Sequence, residues 1–374
     1  MFLALLELRA ARGRFLLMGS VVVLVAALVG IVSGFTTGLG DDTISALRRL
    51  PASHLVFSSD ARSDQFARSL LDAKTASAWR EDADTDTTPL GISITRGTTD
   101  RGTEVDLAAF GIDPAAFLNP SVTSGKGLTT DAADTVVISA KLADEGVRIG
   151  DTLVIDRLGI RLRVVGLTER SSYGHVPAAY VPLATWQRIR FSTPGAPASA
   201  AAAELPDQFS ALALRTPAGT PVADLDKRHS TSTVTKEKAY EAAPGYTGER
   251  LTMNSIQVFL YLIAPLVVGA FFAVWTVQRQ PELALLRALG ASRRRLLVHT
   301  VLQAALVVVL GTAAGAVLAG AVGLLVGEQV PFSLPALTLT TTMCTVAAVG
   351  LLGSALTLRR VTSVDPLTML GANR

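Results

Sequence analysis

The residues able to do chemistry are few, and little in their spacing organises them for catalysis. Four histidines, His54, His175, His229 and His299, lack metal-ligand spacing, and there is no HExxH pattern. The nearest approach to a phosphate-binding loop is Ser124-Gly-Lys-Gly-Leu-Thr-Thr130. No glycine stands five residues before Gly125, however, and no Ser or Thr follows Lys126, so this stretch reads as a glycine turn. Cys344 is the only cysteine, which excludes an intramolecular disulfide or a multi-cysteine metal site. It lies in an apolar run and reads as a small buried hydrophobe. No pattern supports a Ser-His-Asp assignment. The expectation is a chain with no catalytic residues, no bound metal and no nucleotide hydrolysis of its own.

One stretch has functional spacing of another kind, Gln280-Pro-Glu-Leu-Ala-Leu-Leu-Arg-Ala-Leu-Gly-Ala-Ser-Arg-Arg-Arg-Leu-Leu297. Leu283, Leu286 and Leu289 follow a helical stripe that Glu282 and Arg287 leave. Gly290 suits a helix carboxyl cap and Ser292 an amino cap for the next helix. A short helix bounded in this way suits docking into a groove on another protein. The arginines would equally serve as topology anchors, and the residue pattern leaves both readings open.

The elements that must position this stretch are set by an apolar composition. The 374 residues are 49% hydrophobic and only 17% charged, against about 25% charged in soluble domains. Four segments without Asp, Glu, Lys or Arg are long enough to span a bilayer: Phe15 to Phe35, Ser255 to Val277, Thr300 to Val326 and Leu337 to Leu358. The first exceeds a signal-peptide core and lacks a clear small-x-small cleavage site, so it reads as retained. Arg9, Arg12 and Arg14 precede it. Arg279, Arg287 and Arg293 to Arg295 lie between the second and third spans, and Arg359, Arg360 and Arg374 follow the fourth. These cations face only Glu7, Glu282 and Asp365. The positive-inside rule therefore puts both termini and the docking stretch in the cytoplasm of a multi-pass cell-membrane protein. The net charge of +3 is thereby assigned to topology, and no nucleic-acid partner is expected.

The expected organisation is a cytoplasmic amphipathic helix at 1–14, a first transmembrane helix at 15–39 and an extracellular α+β domain at 40–253. A second transmembrane helix follows at 254–278, the docking segment at 279–298 and a third transmembrane helix at 299–326. A short extracellular loop at 327–336, a fourth transmembrane helix at 337–358 and a cytoplasmic tail at 359–374 complete the chain. The fold class is thus an α-helical membrane protein with four transmembrane helices, one plus three, and an inserted α+β extracellular domain. Within that domain His54 to Ser58, Thr135 to Ser139 and Ala178 to Val181 read as strands. Thr152 to Asp156 and Arg161 to Gly166 read as a hairpin around Gly159. Ser63 to Ala78 reads as a helix, and Arg80 to Thr103 as a loop around a strand at Gly91 to Thr95. Gly34, Gly38 and Gly40 are expected to loosen the first span, with Asp41 and Asp42 marking its exit into water. Gly311, Gly315, Ala319 and Gly323 would let helices approach closely, within one protomer or between two.

The segment Glu282 to Arg294 closely resembles the coupling-helix motif of FtsX/MacB-type ABC transporter permeases. Asp134 to Thr168 resembles part of that family's external domain, and Arg359 to Leu370 its cytoplasmic ending. Gln280-Pro281 departs from the basic run usual there, and proline fits a helix start. The resemblance implies a non-catalytic permease, in two copies, coupled through Glu282, Leu283, Leu286, Arg287, Gly290 and Ala291 to two copies of a separate ATPase that binds the ATP. Two stretches, Ser33 to Gly40 and Tyr173 to Tyr180, look like the Gram-positive haem-efflux (HrtB-like) and DevC-type permeases. Haem iron takes Tyr, His or Met as axial ligand, so Tyr173, His175, Tyr246 and Met253 become substrate-binding candidates. No intrinsic cofactor is expected; haem would be cargo. The expected function is ATP-driven efflux of an amphipathic substrate, with membrane lipid as surroundings. The alternative is an FtsX-like signalling protein that activates an extracellular cell-wall hydrolase.

Overall fold

A computed structural model describes residues 12–62, 64–83, 85–195, 205–217, 222–278, 281, 285, 290, 292–327 and 330–361. They divide into two compact units, a helical one within 1–39 and 251–374 and an inserted one, Gly40–Arg250.

In the helical unit, α1 (Arg12–Thr43), α2 (Tyr246–Gln278) and α3 (Arg293–Val326) each carry a stretch long and apolar enough to cross a membrane. A fourth helix, α4 (Ala336–Val361), runs 26 residues. Their contacts are made through small residues. A Cβ on Gly311 would stand 2.6 Å from Val22, and one on Gly315 would stand 2.6 Å from Ala26. Ala319 is wholly buried, and a Cβ on Gly30 would meet it at 2.8 Å. The glycine stripe of α3 is therefore used within the protomer, against α1. Cys344, expected to be buried, is exposed on α4. An apolar span in lipid need not bury its small residues against protein.

α1 does not loosen at its glycines. It continues unbroken through Gly34, Gly38, Asp41 and Asp42. Gly34 and Gly38 instead form a slot for the segment between α3 and α4. Phe332 lies over Gly34, Pro331 over Gly38, and Ser333 N–H donates to the Gly34 carbonyl at 3.0 Å. The rings of Phe35 and Phe332 meet edge to face at 5.2 Å.

The inserted unit is built on strands, labelled here in chain order: β1 (His54–Ser58), β2 (Leu71–Asp72), β3 (Asp86–Thr99), β4 (Glu104–Ile112), β5 (Ser124–Gly125), β6 (Thr135–Ser139), β7 (Thr152–Ile155), β8 (Arg161–Thr168), β9 (Ser172–Tyr173), β10 (Val176–Pro182), β11 (Gln208–Phe209), β12 (Ala211–Arg215) and β13 (Thr231–Thr235). Six of them close on themselves. β3 pairs β4, β4 pairs β10, β10 pairs β6, β6 pairs β8, β8 pairs β7, and β7 returns to β3. The other end of β3 pairs β12, which continues the sheet to β1 and β13. One residue set, including Leu107, Ala109, Val136, Ile138, Leu153, Leu162 and Val164, buries into one cluster. The alternate set, including Ala108, Phe110, Val137 and Tyr180, buries into a second with Leu55 and Phe57. Period-two burial on both faces explains why these strands read as near-continuous apolar runs.

Two expectations are corrected. Arg80 to Thr103 is not mainly a loop, because β3 alone occupies 14 of its residues. Its Thr, Arg and Gly content hid a strand that is held by β4 along its length and by β12 and β7 at its two ends. Ser63 to Ala78 is not one helix. A turn of helix, Gln65–Arg68, is followed by β2 and then by a helix over Ala73–Ala83. That helix is capped by Asp72, whose carboxylate accepts from Thr75 N–H at 2.8 Å and lies below the usual carboxylate range because of its Thr75 side-chain and backbone hydrogen bonds.

Trp186, on the helix Leu183–Phe191, lies against Gly91 and Gly111, which are directly opposite in the β3–β4 register. A Cβ at either glycine would stand 2.2–2.3 Å from the tryptophan. Gly91→Ala and Gly111→Ala should each destabilise the protein by about 1–3 kcal/mol, the range for overfilled cores. Thermal unfolding followed by tryptophan fluorescence checks this. Combined with Trp186→Leu, either change should have clearly less effect than alone.

Candidate functional site

β9 and β10 are joined by two residues, Gly174 and His175, since Tyr173 pairs directly with Val176. Both central residues have positive φ, +58 and +67. That is the tight primed turn matching the twist of a hairpin. Glycine is at home there, but histidine in the left-handed region is uncommon and strained. Gly174 is also crowded, since a Cβ there would lie 3.2 Å from Pro244, and its N–H donates to the Thr43 carbonyl at 2.9 Å.

The turn holds the His175 ring at the amino end of α2. His175 Nε2 stands 2.5 Å from Glu249 Oε1, and Thr43 Oγ1 donates to Glu249 Oε2 at 3.3 Å. Glu249 N–H in turn donates to the carbonyl of Gly245 (φ +79) at 3.0 Å. One carboxylate thus ties together the end of α1, the β9–β10 turn and the first turn of α2. Nearby, Asp42 accepts from Lys141 Nζ at 2.6 Å through both oxygens, and Asp41 pairs with Arg48 at 2.5 Å. The His175 and Glu249 side chains are 44% and 29% exposed, so their pairing is accessible and only modestly stabilising. Glu249→Ala should lower stability by about 1 kcal/mol, and a double-mutant cycle with His175→Ala should show coupling of about 0.5–1 kcal/mol. His175→Gly should lose the pairing while relieving the turn, and so should destabilise less than His175→Ala.

Tyr173 is placed differently from expectation. Tyr173 points inward. It is 3% exposed, its ring meets Phe66 and Phe110 edge to face at 5.8 and 5.9 Å, and its hydroxyl donates to the Ala242 carbonyl at 3.5 Å. Burial pushes its phenol well above the ordinary tyrosine range. Its hydroxyl is thus turned into the core and away from solvent. Tyr246 opens α2 and packs against the same core cluster, and Met253 follows two turns later, half-buried. Of the four candidates, His175 is the one presented to solvent on a turn. Among the described residues no group of three His, Cys, Asp or Glu could hold a metal ion.

Glu249 and Thr43 went unrecognised in the sequence. The Glu249–His175 contact joins residues 74 apart, and no spacing rule reaches that far. A second polar group was hidden in the spans. Gln257 Nε2 donates to Ser33 Oγ at 3.3 Å and to Thr36 Oγ1 at 3.4 Å, and the Tyr261 and Thr342 hydroxyls lie 3.4 Å apart. Such bonds hold apolar helices in a fixed rotation. Glu282, Leu283, Leu286, Arg287 and Ala291 lie outside the described residues. Gly290 is described, and its φ of +92 is a conformation that glycine adopts freely.

Residues 254–366 match the family described as FtsX-like permease C-terminal. The chain is 24% identical to a Staphylococcus haemolyticus protein named as the hemin transport system permease HrtB, over 99% of both chains. It is 26% identical to an ABC transporter permease of Mycobacterium tuberculosis, over 75% of this chain and 72% of that one. Among solved structures, the periplasmic region of MacB from Actinobacillus actinomycetemcomitans aligns over 53% of this chain and 94% of that one, at 14% identity and a TM-score of 0.36. With a long apolar helix before an inserted α/β unit, further apolar helices after it, and a permease-family match over residues 254–366, the chain is similar to ABC transporter permeases of the FtsX type.

Proposed function

We propose that this permease works as a homodimer with two copies of a separate ATPase, and that it exports an amphipathic substrate, haem being the best supported. The observation that carries the reading is the end-to-end similarity to a protein named for hemin transport, covering 99% of each chain. The termini and the Glu282–Ala291 coupling segment face the cytoplasm, and the inserted domain faces outward, because the arginines cluster on one side of the spans. ATP is bound and hydrolysed by the partner. Its closure pushes on the coupling segment, and α1 and α2 carry the movement to the domain inserted between them, a rigid-body change of the hinge or shear kind. Tyr173, His175, Tyr246 and Met253 are the ligand candidates for haem iron, and His175 must leave Glu249 to offer Nε2.

Hemin titrated into the permease–ATPase complex in nanodiscs should raise ATP hydrolysis several-fold, and His175→Ala should weaken that response. No stimulation, together with no protection of cells from hemin, would overturn the haem assignment. Orientation is tested with Ser292→Cys in a Cys344→Ser chain, which should react with an impermeant maleimide only after the cytoplasmic side is opened.

A further inference from the structure

The inserted unit is anchored differently where α1 ends and where α2 begins. On the α1 side the chain enters the core at once: Ile44, Ala46, Leu47 and Leu50 are buried in the cluster that holds Leu55 and Phe57. Polar contacts surround that anchor. Lys141 reaches both oxygens of Asp42, each of the two side chains being only 20% exposed, and Arg49 pairs with Glu169. The Ser45 hydroxyl accepts from Ser172 N–H at 2.7 Å and donates to the Asp42 carbonyl at 2.8 Å. A junction held by core side chains and charge-assisted bonds together opens only when the core does.

The α2 side is built more lightly. From Pro244 to Arg250 only Tyr246 and Glu249 are half-buried, and the other five residues are exposed. Tyr246 packs against the core cluster, and Glu249 meets His175 and Thr43. Two glycines bracket this turn. Gly245 precedes α2 with φ at +79, and a Cβ on Gly248 would meet nothing within 4 Å. Small residues at the end of an element are where a hinge absorbs its rotation. The contact that spans these glycines is the accessible His175–Glu249 pair, presented by a turn whose histidine is strained.

We propose that the inserted unit moves as one body with the end of α1, and that α2 pivots against it at Gly245–Gly248, with the His175–Glu249 pair as the latch of that hinge. Opening the latch frees His175 Nε2 and lets α2 turn without dragging the sheet, so movement enters the unit through α1. The use of the hinge in export rests on the function proposed above; the hinge itself needs neither substrate nor ATPase.

Hydrogen exchange of the full chain in nanodiscs, resolved at single amides, tests it in that form. Glu249 N–H makes the first intrahelical bond of α2, to the Gly245 carbonyl at 3.0 Å. Arg48 N–H, bonded to the Ile44 carbonyl at 2.9 Å, and Ser172 N–H report on the α1 junction. Glu249 should exchange faster than either. His175→Ala should raise exchange at Glu249 about 2- to 5-fold, the change from losing a partly exposed pair, and leave Arg48 and Ser172 as they were. Gly248→Ala should lower it, because alanine loses less freedom than glycine on entering a helix. Equal protection at the two junctions would overturn the proposal, as would a His175→Ala effect shared by Arg48 and Ser172. Gly248→Ala in the permease–ATPase complex then separates the two readings. Slower exchange with an undiminished substrate response would count against the export mechanism and leave the hinge standing.

Discussion

Leu286→Asp should leave the permease in the membrane and lower its co-purification with the ATPase at least ~30-fold, equivalent to about 2 kcal/mol or more of lost anchor energy. On the stripe Leu283, Leu286 and Leu289, position 286 is central, where truncation of an interface anchor has most effect and where a carboxylate would be desolvated without a partner. Arg287 leaves the stripe, so Arg287→Ala should have a smaller effect that shrinks with salt, as for a rim charge. Gly290→Ala tests the geometry of the segment's end. With φ at +92, any side chain there is strained, by about 1–3 kcal/mol. Its effect should fall on coupling more than on assembly: ATP hydrolysis continues and its response to substrate is lost. Pull-down together with ATPase assay of the reconstituted complex separates the three outcomes. Undiminished co-purification of Leu286→Asp would place the ATPase contact elsewhere, and the arginines of this segment would then serve topology alone.

How far the sequence discloses this protein depends on the range of each interaction. β1 and β6 were legible because β-branched and apolar residues run together between turn residues. The β7–β8 hairpin was marked by Gly159, at φ +66. The spans were legible because lipid imposes a length and a composition on each of them separately. β3 was not, since a Thr-, Gly- and Arg-containing segment becomes a strand only through partners elsewhere in the chain. The helix Leu183–Phe191 was likewise unannounced. It lacks a side-chain cap and is held by Trp186, which is fully buried. In the candidate site, His175 was singled out through the resemblance of its motif, but its partner Glu249 was not. Tyr173 and His175 stand two residues apart in the sequence, and only the turn between β9 and β10 separates them, leaving Tyr173 buried and His175 exposed. The glycines of α1 were misassigned because an absent side chain reads as flexibility until the group filling its place is known.

That last point yields the second large prediction. A Cβ on Gly34 would lie 2.3 Å from the Phe332 ring, and one on Gly38 would lie 2.3 Å from the Pro331 carbonyl oxygen and 2.5 Å from its carbon. Both clashes are severe, but they differ in how they can relax. A ring can rotate away from Gly34, whereas at Gly38 the obstacle is backbone and the whole 331–333 segment must lift. Gly34→Ala should therefore destabilise by about 1–3 kcal/mol, and Gly38→Ala by at least as much. Phe332→Ala should rescue Gly34→Ala in part and Gly38→Ala hardly at all, a pattern measured as thermal shifts in detergent. Lifting the segment also breaks the Ser333-to-Gly34 hydrogen bond and the Phe35–Phe332 contact. Those contacts bind the α3–α4 connection to α1, the helix that leads into the inserted domain. On the proposed function, Gly38→Ala should then leave ATP hydrolysis by the partner running while export falls. Equal rescue of both variants by Phe332→Ala would show that the ring alone fills the slot and that the backbone contact at Gly38 carries no load.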